Sequence, residues 1–252
     1  MTINDTAKRN HAELFAGHVS TLAVTDPEFI AVFDNVAFDE VLRDTSLDVR
    51  TRLMVQLASI IASQALDEYR AMLGAALTTG VTSIEAKEIV YQAVPYVGLA
   101  KVFDFLHATN DVLSERGVEL PLPGQSTTTP ETRSAEGLAV QKRIVGDDQV
   151  DAMYAAASDD EKHFQRYLSA NCFGDYLSRT GLDVKMRELL TFSMLVALGG
   201  ADPQVKGHVA ANLNVGNDRG TLLDVLTALL PLIGYPRTLN GLAAVNQLTA
   251  AK

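Results

Sequence analysis

The sequence predicts an all-α protein made of a tandem duplicated helical bundle. Apolar residues recur at helical spacing, β-branched alternation with hairpin dipeptides is nearly absent, and two halves of the chain resemble each other. Matching residues lie 135 positions apart at first, and 136 apart beyond Asp67 and Asp202, where one residue is inserted. Such repetition indicates one helical unit used twice. The matched pairs include Phe29 with Phe164, Asp48 with Asp183, Arg52 with Arg187, Gly80 with Gly216, Pro95 with Pro231 and Asn110 with Asn246.

Each repeat is predicted to contain five helices. In the first repeat they cover 28–43, 48–65, 67–79, 83–94 and 98–116, and in the second 161–178, 183–199, 202–215, 218–230 and 235–250. Short polar side chains suited to capping a helix N-terminus stand at several of these starts, namely Asp48, Asp67, Thr82, Asp183, Asp202 and either Asn217 or Asp218. Gly80 and Gly216 fit helix stops, and Pro95 with Pro231 is predicted to break the fourth helix of each repeat.

A segment rich in proline and hydroxyl residues, LPLPGQSTTTPETRS, separates the repeats and suits a linker. We therefore divide the chain into a first repeat over 1–119, a linker over 120–138 and a second repeat over 139–252. A short helix over 139–157 precedes the second set of five. This helix and the N-terminal segment containing Leu14, Phe15 and Val19 are predicted to pack as arms or against a partner subunit.

Composition excludes several classes of function. The formal net charge of -10 and the pI near 4.9 argue against nucleic-acid binding, because no basic stripe offsets the repulsion from phosphates. No apolar stretch approaches the roughly 20 residues of a membrane span, and the N-terminal residues lack the apolar core of a signal peptide, so we expect a cytoplasmic protein. The single cysteine, Cys172, excludes an internal disulfide and a thiolate metal cluster. No metal is predicted.

The two repeats differ at three positions that face inward. On the predicted helix over 202–215, Val205, Val209 and Leu213 define the buried stripe. His208 and Asn212 lie beside this stripe. A packing requirement shared by both repeats would be met by apolar residues, so these polar residues need a separate explanation. The second repeat has Glu188 for Leu53, His208 for Met72 and Asn212 for Ala76.

Glu188 and His208 are the candidate pair for chemistry, although a core histidine and a helix-tying glutamate also fit the pattern. A buried carboxylate needs a partner. Glu188 lies farther from the turn between its helix and the next than His208 does, so the sequence leaves open three arrangements. The pair meets within one chain, or another subunit or the first repeat completes the site.

Three cations lie near this pair in sequence. Arg187 repeats Arg52, which indicates a structural tie, for which the aspartate one turn upstream is the natural partner. Lys206 matches Arg70 and fits a solvated helix face, and Lys185 is the third. Cys172 matches Ala37, which indicates a small buried residue.

Three stretches follow one another along the second repeat: RELLTFSMLVALGG, VKGHVAANLNVGN and LLPLIGYPRTLNGL. The first repeat matches in GVTSIEAKEIV and VPYVGLA. This combination resembles the carboxymuconolactone decarboxylase family. The resemblance implies a helical fold of the alkylhydroperoxidase-D-like type that assembles into ring-like oligomers. We expect a homo-oligomer, a trimer of two-repeat chains.

One branch of that family, which reduces hydroperoxides, uses a Cys-x-x-Cys pair before the histidine. Those cysteines would fall at Ala201 and Gln204, and in the first repeat at Ala65 and Glu68. Disulfide exchange requires a thiolate and a resolving thiol, so that mechanism is contradicted here. Peroxiredoxin or antioxidant activity is therefore expected only as a name given to the family, and not as the activity of this chain.

The other branch decarboxylates a carboxylated muconolactone without a metal or organic cofactor. The resemblance implies His208 as general acid or base and Glu188 as the carboxylate that orients it, while Arg187 or Lys185 would anchor a substrate carboxylate and Asn212 would donate a hydrogen bond. A carboxy-lyase acting on a small carboxylated lactone or related acid is thus the first hypothesis. A non-catalytic oligomeric metabolite-binding protein is the second, and a thiol peroxidase using Cys172 with a cysteine from elsewhere is the third.

Overall fold

The computed structural model describes residues 1–18 and 20–249, and these residues form helices and loops with no β-strand among them. The predicted all-α class is confirmed. Val19, assigned above to an N-terminal arm, lies outside the described residues. None of the described helices combines the length and apolar character that crossing a membrane requires. The first repeat contains α1 (Asp5–Leu14), α2 (Leu22–Thr25), α3 (Pro27–Asn35), a π-helical segment (Val36–Glu40), α4 (Val41–Arg43), α5 (Val49–Ser63), α6 (Leu66–Thr78), α7 (Ser83–Val97) and α8 (Leu99–Glu115).

The second half begins with two helices that have no counterpart among the five predicted per repeat, α9 (Arg133–Val145) and α10 (Asp147–Ala156). The single helix expected over 139–157 is thus two helices that meet at Gly146, whose φ of 105° ends α9. Helix α9 also begins inside the segment assigned to the linker. The remaining elements repeat the first half: α11 (Lys162–Tyr167), a π-helical segment (Leu168–Leu177), α12 (Val184–Leu198), α13 (Asp202–Asn214), α14 (Arg219–Ile233) and α15 (Tyr235–Thr249).

Most helix starts follow the predicted caps, and two do not. The confirmed caps, whose side chains accept a hydrogen bond from the first helical turn, are Asp48, Thr82, Asp183 and Asp218. The caps predicted at Asp67 and Asp202 are wrong, because both residues lie within the first turn of α6 and α13. There the carboxylates interact favourably with the positive end of the helix dipole and do not act as caps that accept a hydrogen bond from a terminal N–H group.

The prediction that Pro95 and Pro231 break a helix is also wrong. Both prolines lie inside α7 and α14, close to the C-terminal ends. A proline removes one hydrogen bond of its helix, and each of these helices continues past that loss. The helices end where Gly98 and Gly234 adopt φ values of 89° and 77°, which a residue with a side chain rarely adopts.

Helix α9 packs tightly against the π-helical segment Leu168–Leu177. A Cβ atom added to Gly137 would lie 2.0 Å from the carbonyl oxygen of Ser169, and one added to Gly174 would lie 2.3 Å from that of Arg133. Only glycine permits such a close approach of the two backbones. This contact places α9 beside Cys172 and beside the second repeat's polar residues.

The two repeats share one hydrophobic core. Helices α5 and α12, which are equivalent in the two repeats, lie against each other at its centre, and their apolar side chains are buried on nearly all sides. Helix α7 of the first repeat also packs against α12. Consequently, residues of the first repeat reach the polar positions of the second.

A buried ion pair joins the repeats. Arg187 on α12 is 1% exposed and donates to Glu88 on α7 at 3.0 Å, and Arg179 donates to the same carboxylate at 2.9 to 3.0 Å. Arg187 also donates to the side chain of Gln92 and to two backbone carbonyls. The predicted tie between Arg187 and the upstream aspartate is wrong, because Asp183 caps α12 instead.

We predict that Glu88→Gln destabilises the fold by about 3 kcal/mol, because it leaves two arginines without their buried counter-charge. Asp111→Asn is the matched control, since Asp111 pairs with Arg70 on the surface and such pairs contribute about 0–1 kcal/mol. Urea denaturation of both variants measures the difference. Equal free energies of unfolding for the two variants would contradict this role of Glu88.

Candidate active site

Glu188 and His208 meet within a single chain. Nδ1 of the imidazole lies 2.8 Å from Oε2 of the carboxylate. Of the arrangements that the sequence left open, the structure thus has the contact within one chain. Glu188 is fully buried, and the His208 side chain is 17% exposed. A carboxylate can only accept here, so Nδ1 donates, and the proton on Nδ1 leaves Nε2 as the ring nitrogen for other chemistry.

Asn212 fixes the two helices that carry this pair. Its Nδ2 group donates to the carbonyl oxygens of Glu188, at 3.0 Å, and of His208, at 2.7 Å. Its Oδ1 accepts from Asn217, which also donates to the carbonyl oxygen of Lys185. Asn212 is therefore level with Glu188 across the helix pair, and His208 lies one turn closer to the connecting loop. Both amide hydrogens of Asn212 are used within the protein.

A pocket of about 850 Å³ opens beside His208. Apolar side chains form most of its wall, and the polar residues that line it come from five elements. Among the described residues that line it, Lys206 is the one with a fixed charge, and none is acidic. The polar lining residues are Tyr96, Gln141, Gln149, Cys172, Gln204, Lys206 and His208.

Tyr96, at the end of α7, brings the first repeat into this site. Its ring packs edge-on against the imidazole of His208, with centroids 5.7 Å apart and an interplanar angle of 80°. Burial, with nearby Cys172 and Glu188, raises the pKa of the Tyr96 phenol well above its usual value, so it stays neutral. Sequence reasoning missed this residue. The available signal was its repeat partner, Leu232, which makes Tyr96 a polar exception in the first repeat.

The cations proposed from sequence lie elsewhere. Arg187 is held in the ion pair with Glu88 and does not line the pocket. Lys185 is exposed and donates to the carbonyl oxygen of Gly216, at 3.1 Å. Lys206 is exposed, as expected for a solvated helix face, and it also lines the pocket. Lys185 and Arg187 are two residues apart on α12, so their side chains differ in direction by about 200° and face different surroundings.

Cys172 is buried, with Sγ 3.8 Å from the hydroxyl of Tyr96. Burial raises the pKa of its thiol to about 12. Because the thiolate is the reactive form, a thiol at this position is inert at neutral pH. In addition, the described residues hold no group of three or more histidine, cysteine or acidic side chains arranged to bind a metal.

The fold and the site together define a class: helical proteins of two repeats in which one repeat holds a histidine–glutamate pair against a pocket. The chain belongs to the carboxymuconolactone decarboxylase family, which matches it over residues 27–111 and 162–247. The first range lies within the first repeat, and the second lies within the second repeat. Each contains one copy of the family's domain.

One relative and one solved structure are similar to this chain. The 4-carboxymuconolactone decarboxylase of Acinetobacter baylyi is 29% identical over 106 residues, which are 42% of this chain and 78% of that protein. A solved structure from Burkholderia xenovorans, a candidate gamma-carboxymuconolactone decarboxylase subunit, has a TM-score of 0.51 and 19% identity, and the match covers 96% of this chain and 97% of that one. The second likeness shows the fold.

Proposed function

We propose that this protein is a carboxy-lyase that removes carbon dioxide from a small carboxylated lactone or a related acid. The contact between His208 and Glu188, beside a pocket of suitable size, is the observation that carries the proposal. Membership of the family and the name of the Acinetobacter relative support the same reaction type. One working site per chain follows, because Leu53 and Met72 are buried at the equivalent positions of the first repeat.

The reaction needs charge stabilisation and one proton. The bond between the carboxylate carbon and the ring carbon breaks, its electron pair moves into the conjugated carbonyl framework, and carbon dioxide leaves. The imidazolium form of His208 then gives its Nε2 proton to the ring carbon and recovers a proton from solvent. Glu188 orients the ring through Nδ1 and stabilises its positive charge.

The surroundings fit this chemistry. A pocket with mostly apolar walls excludes water from the carboxylate that is lost, and electrostatic interactions inside it are stronger than in water. Lys206 supplies a positive charge for an anionic substrate. Tyr96 limits the motion of the imidazole by packing edge-on against it.

We predict that His208→Gln lowers the rate of carbon dioxide release from carboxylated lactones by about 10²–10⁴-fold, because it removes the group that transfers the proton. Glu188→Gln should lower kcat with a smaller change in KM, since the amide no longer stabilises the charged ring. Carbon dioxide release over a panel of carboxylated butenolides is the measurement.

Two lysine variants serve as controls. Lys206→Met should raise KM, whereas Lys185→Met should leave kcat and KM near the wild-type values, because Lys185 lies outside the pocket. If wild type turns over no lactone of the panel, or if His208→Gln retains full activity, the proposed function is wrong.

We further propose that the protein forms a homo-oligomer, a trimer of two-repeat chains. Large apolar side chains are exposed at equivalent positions of both repeats, although such positions on a monomer's surface usually become polar during divergence. The equivalent pairs are Phe29 with Phe164, Val32 with Tyr167, Leu99 with Tyr235 and Phe103 with Leu239. Ring-like assembly uses such equivalent faces on each chain.

We predict that Phe164→Asp dissociates the oligomer, because a charge replaces a side chain that is 64% exposed in the single chain. Val24→Asp is the matched control, since Val24 is 83% exposed and its repeat counterpart, Asp159, is already acidic. Sedimentation velocity measures the mass of each variant. A monomeric wild type, or a Phe164→Asp protein of unchanged mass, would contradict the proposal.

A further inference from the structure

Gln141 on α9 presents a buried hydrogen-bond donor without a partner. The side chain is fully buried, and its Oε1 accepts from the hydroxyl of Ser169 at 2.6 Å. Among the described residues, Nε2 has no hydrogen-bond partner. Burial of an unsatisfied donor opposes folding, so native proteins rarely retain one without a reason.

The residue that carries this donor belongs to the wall of the proposed active site. Gln141 lines the same pocket as His208, Tyr96 and Lys206. A ligand in that pocket would supply the acceptor that Nε2 lacks in the free protein. The chain thus places one amide donor and one imidazole along the wall of a single pocket.

The amide is held in a fixed orientation. Ser169, which binds Oε1, contacts the hydroxyl of Tyr154 at 2.7 Å, and Tyr154 also donates to the carbonyl oxygen of Gln165. The close packing of Gly137 against the backbone of Ser169 fixes α9 itself. A donor that is oriented before the substrate binds costs no reorganisation during the reaction.

The apolar walls around the donor strengthen a hydrogen bond from it to an oxygen that becomes negatively charged. The apolar lining side chains include Val145, Met153, Leu168, Phe173 and Leu198, and no described lining residue is acidic. A hydrogen bond to a charged acceptor is stronger than one to a neutral acceptor, and more so in apolar surroundings. The donor therefore stabilises an anionic oxygen more than it stabilises a neutral carbonyl.

We propose that Nε2 of Gln141 donates to the substrate's carbonyl oxygen, which takes up the negative charge as carbon dioxide leaves. This assignment rests on the proposed function. It also restricts the substrate class, because the carbon that loses carbon dioxide must be conjugated to a carbonyl group. A simple alkyl carboxylate would place no charge on an oxygen that Gln141 can bind.

Two ring compounds test the assignment by binding alone. Tetronate, a five-membered lactone with a delocalised enolate charge, resembles the charged state, and γ-butyrolactone is the neutral ring. Isothermal titration calorimetry should show that wild type binds tetronate at least about tenfold more tightly than γ-butyrolactone. Gln141→Leu should lose at least about tenfold in tetronate affinity and leave γ-butyrolactone nearly unchanged.

Gln247→Leu is the matched control, because Gln247 is exposed on α15 and does not line the pocket. Its affinity for tetronate should stay within about twofold of wild type. Circular dichroism confirms the folding of each variant, and Gln141→Met replaces Gln141→Leu if the latter does not fold. Equal affinity of wild type for the two rings, or a tetronate affinity of the folded Gln141 variant within twofold of wild type, overturns the assignment.

Turnover separates this assignment from the proposed function. In a carbon dioxide assay, Gln141→Leu should lower kcat by about 10²–10³-fold with KM within about threefold of wild type. If wild type releases carbon dioxide and the variant keeps its kcat, the role of Gln141 fails and the proposed function stands. If tetronate binding depends on Gln141 and no lactone is turned over, Gln141 binds an anionic oxygen, but the proposed function fails and its role in decarboxylation fails with it.

Discussion

The hydrogen bond between His208 and Glu188 is the interaction on which the site depends. It gives Oε2 of a fully buried carboxylate its hydrogen-bond partner, selects one imidazole tautomer and leaves Nε2 free of that bond. Without the imidazole, Glu188 would be a buried charge without a partner. Such a charge lowers the free energy of unfolding by on the order of several kcal/mol. The pair is therefore both a structural link between α12 and α13 and the origin of any acid–base chemistry.

Duplication lets the two repeats divide the work. The first repeat fills the equivalent space with Leu53 and Met72, and it supplies Tyr96 to the wall of the second repeat's pocket. Leu232, the counterpart of Tyr96, packs against the shared core. Tyr96 and His208 thus come from different repeats and line the same pocket. This division explains why a repeat without the histidine–glutamate pair remains part of the protein: its helices complete both the core and the site.

The helical pattern was predictable because each helix has its own local signals. Apolar spacing, the caps at Asp48 and Asp183, and glycines that adopt positive φ all act over a few residues. The position of α9 against the π-helical segment Leu168–Leu177 depends on tertiary contact, above all on the close approach at Gly137, and no local pattern encodes it. For the same reason Gln141 could not be found from sequence, since only the packing of α9 brings it to the pocket. The comparison of the repeats found Glu188 and His208, but it could not tell which nearby lysine faces the pocket.

The most direct test of the central interaction is ¹⁵N NMR of histidine-labelled protein, with the His208 resonances among the five histidines assigned by comparison with His208→Gln. The neutral ring of His208 should carry its proton on Nδ1, with a downfield hydrogen-bonded proton signal that moves upfield in Glu188→Gln, because a neutral acceptor forms a weaker hydrogen bond. A neutral His208 ring protonated at Nε2, or spectra of His208 that do not respond to Glu188→Gln, would contradict the account.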